Sequence, residues 1–249
     1  MSRILITMPV WNESLIIAKN LEILSDVCTK DLDGHDWRIE VADNGSQDGT
    51  PAIVEDLMPR FPHVSLRRIS ERGKGRAICA SWLAQAPTSD ILIFMDADLA
   101  ADVRAIPRLI GPILRGEGDI VCGSRYIGTA RIERSWFRKF VSRTFRLWQK
   151  LVLGLPVEDS QCGFKAASSH VVQTIVPRMR ETAYLVDAEL LAFAKASGHR
   201  IVEIPVDWIE NRDKARRSAI KLYADVWEFL WGTWRIRQRV AKSIECIHV

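Results

Sequence analysis

The chain has 249 residues, 47% of them hydrophobic and 27% charged, with a net charge of +4. These are the proportions of a soluble globular protein large enough to bury a full core, and no apolar run approaches the roughly 18 residues a membrane span requires. Five cysteines (28, 79, 122, 162, 246) are odd in number and scattered without metal spacing, which argues against a disulfide framework and predicts reduced thiols in a cytosolic protein.

The chain opens directly on a strand pattern at 3–8, with no charged leader, apolar stretch and cleavage site ahead of it. A helix is expected over 13–27, a strand at 37–43, and a helix over 50–59 that begins at Gly49-Thr50-Pro51. Strands at 64–69 and 90–96 bracket a helix over 74–86, and a helix over 103–115 precedes a strand at 118–123. Strands alternating with helices at this spacing predict an α/β fold with a mostly parallel sheet. Beyond residue 130 the pattern changes to a long amphipathic helix (135–153), a loop, two shorter helices, a strand at 200–207 and a helix over 218–244. The expected division is a main α/β domain over 1–210 and a basic, Trp-rich helical extension over 211–249.

The modest net charge hides an asymmetry. Residues 131–150 and 212–242 together carry a net +12, leaving −8 for the rest, and five of the nine tryptophans (136, 148, 227, 231, 234) fall in those two stretches. Basic charge mixed with Trp fits a membrane interface or a nucleic-acid surface. No recognisable nucleic-acid motif accompanies it, so no nucleic-acid partner is expected. The Trp227/Trp231/Trp234 stripe has the spacing of one helix face and is also compatible with core packing.

The segment ILIFMDADLA (91–100) is a buried-strand run that ends in Asp96 and Asp98. Two close carboxylates repel unless a cation lies between them, and a hard divalent ion held there also binds a diphosphate. Three further segments follow predicted strands: Met8-Pro9-Val10-Trp11-Asn12-Glu13, then Asp43 to Thr50, then Arg72-Gly73-Lys74-Gly75. A parallel sheet gathers such loops along its carboxyl edge. An aromatic ring, acceptors for a base and a ribose, a lysine between glycines and a metal pair are the parts a nucleotide diphosphate requires. Cys162 has no evident His partner and is not read as a nucleophile.

In this order the segments MPVWNE, VADNGSQDGT, RGKGRA, MDADLA, GSRY, DSQCGFKA and VDAELL resemble the inverting GT-A glycosyltransferases of family 2. The likeness spans roughly residues 1–235 and is greatest to the polyprenyl-phosphate sugar transferases, including dolichyl-phosphate mannose and glucose synthases. The resemblance implies a nucleotide diphosphate sugar donor, a polyprenyl phosphate acceptor, and Mg²⁺ or Mn²⁺ as cofactor. QCGFK is closer to the glucose type, which favours a UDP-sugar over GDP-mannose. By the same resemblance Pro9, Trp11, Glu13 and Asp43 contact the base and ribose, and Asp96 and Asp98 face the metal and diphosphate. Lys74 is read as a diphosphate contact. Arg125, Arg138 and Ser142 fall where the acceptor phosphate is held, and Asp159 and Gln161 on the loop beside the sugar. Two departures stand out: Ala100 occupies a position where many mannose synthases carry a glutamine, and the C-terminal region is a Trp/Arg helix where several relatives have membrane spans.

A phosphate acceptor is largely dianionic at neutral pH and attacks without a strong protein base. An acceptor hydroxyl, the alternative, would need a carboxylate base such as Asp159 or Asp187. The expected location is peripheral, on the cytoplasmic face of an anionic membrane.

Overall fold

The computed structural model describes residues 1–128, 136–209 and 222–245, with side chains described outside 136–142, 222–226 and 244–245. Seven strands form one sheet: β1 (Arg3–Val10), β2 (Asp36–Asp43), β3 (Val64–Arg68), β4 (Ile91–Met95), β5 (Ile120–Ser124), β6 (Phe164–Ser168) and β7 (Ile201–Pro205). Their spatial order is β3-β2-β1-β4-β6-β5-β7, and only β6 runs against its neighbours. The helices are α1 (Ile17–Asp31), α2 (Thr50–Leu57), α3 (Lys74–Gln85), α4 (Ile106–Leu114), α5 (Trp136–Leu153), α6 (Ser169–Ile175), α7 (Val186–Ala196) and α8 (Leu222–Glu245).

Side-chain alternation sends each central strand into two separate cores. Ile4, Ile6 and Met8 of β1 and Ile91, Ile93 and Met95 of β4 join α1, α2 and α4 on one face. Leu5, Leu92 and Phe94 face α3, α6 and α7 on the other, with Ile236 of α8 in the same cluster. Burial on both faces is why these strands read as continuous apolar runs.

The expected parallel sheet is present. The segment ahead of α6, read as a loop, contains β6. Its sequence Phe-Lys-Ala-Ala-Ser carries a charge and small residues in place of β-branched ones, so it lacks the signature of a strand. Pairing on both sides, with Phe94 and Cys122 opposite Lys165, makes it one. Helix α1 starts four residues later than expected because Asn12 is left-handed (φ 56°) and Glu13 turns the chain before the helix begins.

This topology fixes the site. The carboxyl ends of β1 to β5 and β7 share one edge, and the antiparallel β6 brings the loop that precedes it to that same edge.

Candidate active site

The corner after β1 and β2 is built by side chains that hold backbone. Asn44 donates Nδ2 to the Val10 carbonyl (2.7 Å) and accepts from Gly73 N (3.0 Å), tying three loops together. Thr50 Oγ1 accepts from Glu13 N (2.8 Å), Asn12 Oδ1 from Gln47 N (2.8 Å), and Asp43 Oδ1 from Ser46 N (3.2 Å). Pro9, Glu13 and Asp43 are buried here and Trp11 is half-buried. The Arg72 guanidinium lies 3.5 Å from the centre of the Trp11 ring, close enough for a cation–π contact. Trp11 is thus a platform already faced by a cation, outside the core.

The end of β4 carries the acidic pair. Asp98 Oδ1 accepts from Ala100 N (3.2 Å), closing a turn whose Leu99 is left-handed (φ 49°). Asn20 anchors the same turn by donating to the Ala97 carbonyl (2.7 Å). Asp96 lies beside Gly163, the residue just before β6, and donates its N–H to the Gly163 carbonyl (3.1 Å). A Cβ on Gly163 would fall inside the Asp96 carboxylate. The glycine of the QCGFK segment therefore makes room for an acid on the neighbouring strand.

Lys74, the first residue of α3, reaches Asp96 Oδ1 at 2.7 Å and Asp187 Oδ2 at 3.6 Å. Gly73 and Gly75 are required beside it, because a side chain on either would collide with the carbonyls of Thr182 or Glu181. Burial opposes the charge on Lys74, but Asp96 and Asp187 outweigh it and raise its proton affinity.

Arg125, directly after β5, is engaged by Asp159 in a two-pronged pair. Nε donates to Oδ2 (2.6 Å), Nη2 to Oδ1 (2.8 Å), and the Arg125 N–H to Oδ2 (3.0 Å). Both side chains are buried, Asp159 completely. Burial alone would raise the Asp159 carboxyl, yet the hydrogen bonds and charge of Arg125 hold it below the ordinary range. The same pairing raises the proton affinity of Arg125 against the opposing effect of burial. Arg125 and Asp159, expected on the acceptor phosphate and beside the sugar respectively, thus form one internal unit. Complete burial removes Asp159 from contact with a substrate.

Gln161, on the loop ahead of β6, buries its Nε2 with no hydrogen-bond partner among the described residues. The side chains of Arg138 and Ser142 lie outside the described residues. Burial pushes the Cys162 thiol up to about 12, which leaves it unionised and unreactive at neutral pH. Lys165, Gly163 and Arg72 are the residues that the sequence did not assign. All three lie inside quoted motifs, and only three-dimensional pairing gives them partners.

The donor set at the end of β4 fits a divalent cation. Asp96 and Asp98 offer hard oxygen ligands, the Asp96 side chain is one-third exposed, and Gly163 clears the space around it. No group of three or more His, Cys, Asp or Glu able to hold a metal occurs among the described residues. Two carboxylates completed by substrate phosphate oxygens and water is the usual arrangement for Mg²⁺ at a nucleotide, so Ala100 need not be replaced by a third protein ligand.

The sequence profile described as Glycosyl transferase family 2 matches residues 5–175, a stretch that includes all four loops and β6. The chain belongs to glycosyl transferase family 2. It is 26% identical over 246 residues to glycosyltransferase AglD of Haloferax volcanii, covering 97% of this chain and 39% of that protein. Identity is 25% to a dolichyl-phosphate beta-glucosyltransferase of Dictyostelium discoideum, covering 93% and 76% of the two chains. It is 29% to polyprenol monophosphomannose synthase of Mycolicibacterium smegmatis, covering 84% and 78%. The chain thus spans well under half of AglD and about three quarters of the other two. Glucosyl-3-phosphoglycerate synthase from Mycobacterium tuberculosis in complex with UDP aligns with a TM-score of 0.66 at 24% identity, over 96% of this chain and 80% of that one. Its complex with Mn²⁺, UDP-glucose and phosphoglyceric acid gives 0.65 at 22%, over 95% and 79%. The fold is the GT-A fold.

A second surface of this family 2 protein lies on α5 and α8. Phe145 and Phe229 pack ring to ring at 4.4 Å and join the two helices. Thr233 and Ile236 face inward, and Gly232 allows α8 to lie directly on Leu185. The opposite face exposes Trp227 (71%), Trp231 (54%) and Trp234 (40%), while α5 exposes Leu147 and Leu151. The tryptophan stripe is therefore not core. No helix among the described residues is long and apolar enough to cross a membrane.

Proposed function

We propose that the protein transfers a hexose, with inversion, from a nucleotide diphosphate sugar to a polyprenyl phosphate while resting on an anionic membrane surface. A UDP-sugar is the favoured donor, with GDP-mannose the other candidate. One observation carries the choice of acceptor: Asp159 and Asp187, the carboxylates named as candidate bases for a hydroxyl acceptor, are already engaged as counter-ions. Asp159 is locked by Arg125, which holds its carboxyl below the ordinary range. Asp187 is buried between Lys74 and Lys165. A carboxylate enclosed in a buried ion pair is badly placed to reach an acceptor hydroxyl, whereas a phosphate monoester, with its second pKa near 6, arrives as its own nucleophile.

In this mechanism Trp11, Glu13 and Asp43 hold the base and ribose, and Asn44 keeps their three loops in register. Asp96 and Asp98 would hold Mg²⁺ or Mn²⁺, which when bound neutralises the diphosphate and eases its departure. Lys74 adds a second positive charge beside the same group. Gln161, half-buried on the loop ahead of β6, is proposed to lie beside the sugar. Arg138 and Ser142 of α5 are assigned to the acceptor phosphate, and Arg125 with Asp159 shapes the loop that carries Gln161.

The lipid acceptor also accounts for the α5/α8 face, where exposed Trp rings suit the headgroup zone and basic residues suit an anionic leaflet. The four cysteines of the described residues are unpaired, in keeping with a position on the cytoplasmic side. The test is competition between polyprenyl phosphate and the corresponding polyprenol in vesicles, with UDP-glucose and GDP-mannose as donors and mass spectrometry of the lipids. The expected product is a polyprenyl-phosphate hexose; sugar on the alcohol alone would overturn the proposal.

A further inference from the structure

Lys165 is the one lysine among the described residues with no exposed surface. It sits on β6 with strands paired on both sides, and it donates to the Cys162 carbonyl (2.6 Å) and to Asp187 Oδ1 (2.5 Å). A buried ion pair is commonly no more stabilising than apolar residues of the same volume, so stability alone does not explain it. The other oxygen of Asp187 faces Lys74 at 3.6 Å, and Lys74 contacts Asp96 at 2.7 Å. Four charges of alternating sign therefore run from the middle of the sheet to the cleft: Lys165, Asp187, Lys74, Asp96. Side-chain exposure rises along that line from 0% through 2% and 17% to 34%. Both ammonium groups lie 5.6 Å from the centre of the Phe94 ring.

We propose that Lys165 is a positioning residue for the transfer, an inference that rests on the assignment of Asp96, Asp98 and Lys74 to the donor. Asp187 divides its charge between two ammonium groups. Because Lys165 takes the inner share, Lys74 is drawn inward only weakly and stays at the cleft end of the line. There it sits on Asp96 while the donor is absent and turns to the diphosphate when the donor arrives. Without the Lys165 ammonium, the whole charge of Asp187 falls on Lys74 and pulls it away from Asp96. Two effects of opposite sign follow: Asp96 loses a competing cation, and the diphosphate loses its lysine.

The experiment compares wild type with Lys165→Met, Lys165→Arg and the double variant Lys165→Met/Asp187→Leu, all checked for folding by circular dichroism. Mn²⁺ affinity without nucleotide is read by water-proton relaxation, and UDP affinity at saturating Mn²⁺ by calorimetry. In Lys165→Met, Mn²⁺ alone should bind several-fold more tightly. UDP should bind roughly tenfold more weakly, in the range seen when groups behind a metal site are removed, and the donor KM should rise while the acceptor KM holds. Lys165→Arg should restore both affinities. In the double variant Lys74 rests wholly on Asp96, so Mn²⁺ alone should bind more weakly than in wild type. Folded variants that match wild type in Mn²⁺ and UDP affinity would overturn the role of Lys165. If Lys165→Met does not fold, the double variant, which strands neither of the paired charges, decides by itself: unchanged Mn²⁺ affinity overturns the proposal. A wild-type protein whose Mn²⁺ binding is indifferent to Asp98→Asn would instead overturn the donor assignment.

Discussion

The sheet edge and the α5/α8 face both concentrate charge, but they use it in opposite ways. At the edge, Lys74, Lys165 and Arg125 are buried or nearly so, each within 2.7 Å of a carboxylate oxygen. On the helices, Lys150 is half exposed and Arg235 more than a third exposed, amid Trp227, Trp231 and Trp234. Buried pairs depend on both partners because one left alone is an uncompensated charge. Exposed charges are screened by water and salt and act only in numbers. The first region should therefore fail at single substitutions, and the second only when several are combined.

The largest single effect is expected at Arg125→Met. It strands a buried Asp159 and should cost about 3–5 kcal/mol of stability, measurable by urea denaturation. Its pH dependence has a definite sign. The folded Asp159 carboxyl lies below its ordinary value, so the stability it contributes is fully present above the unfolded pKa of about 3.9. That stability is lost as pH falls below this value and through the folded pKa. Wild type should lose stability in that window, and the variant should lose much less.

Asp98→Asn should lower transfer roughly a thousandfold, equivalent to about 4 kcal/mol in the barrier, with the thermal midpoint little changed. Initial rates across a Mg²⁺ titration provide the check. Gly163→Ala should follow with roughly a hundredfold loss, because its Cβ displaces the Asp96 carboxylate and a shift of about 1 Å in a positioning group has that effect. Its Mn²⁺ affinity should fall in parallel.

The helical face should respond last and least. Trp231→Ala alone should weaken co-sedimentation with anionic vesicles only a few-fold. Each interfacial basic residue contributes about 1 kcal/mol, so loss of all three tryptophans or a rise in salt should release the protein. Release by Trp231→Ala alone would show that this face, like the sheet edge, depends on single contacts.

The sequence carried those features whose signal is local. The apolar run before Asp96, the Pro51 start of α2 and the start of α3 at Lys74 all read correctly because each is a property of neighbours in the chain. What it did not carry is long-range pairing. β6 looks like a loop because its strand character comes from β4 and β5. Arg125 was expected on the acceptor phosphate, because its actual partner, Asp159, lies 34 residues away. The exposure of the tryptophan stripe was undecided because i, i+4, i+7 spacing defines a face but not what covers it. Motif composition did gather Gly163 and Lys165 into one quoted segment, without indicating that one makes room for Asp96 and the other anchors Asp187.

In the proposed reaction the acceptor, not the enzyme, supplies the base. This is tested most directly by the pH profile of kcat/KM for two acceptors: a polyprenyl phosphate and a polyprenyl phosphonate, whose second ionisation lies at higher pH. The profile with the phosphate should fall below about pH 6, where its second proton returns, and the break should move upward with the phosphonate. A break that stays at the same pH for both acceptors would belong to a group on the protein and would contradict the account.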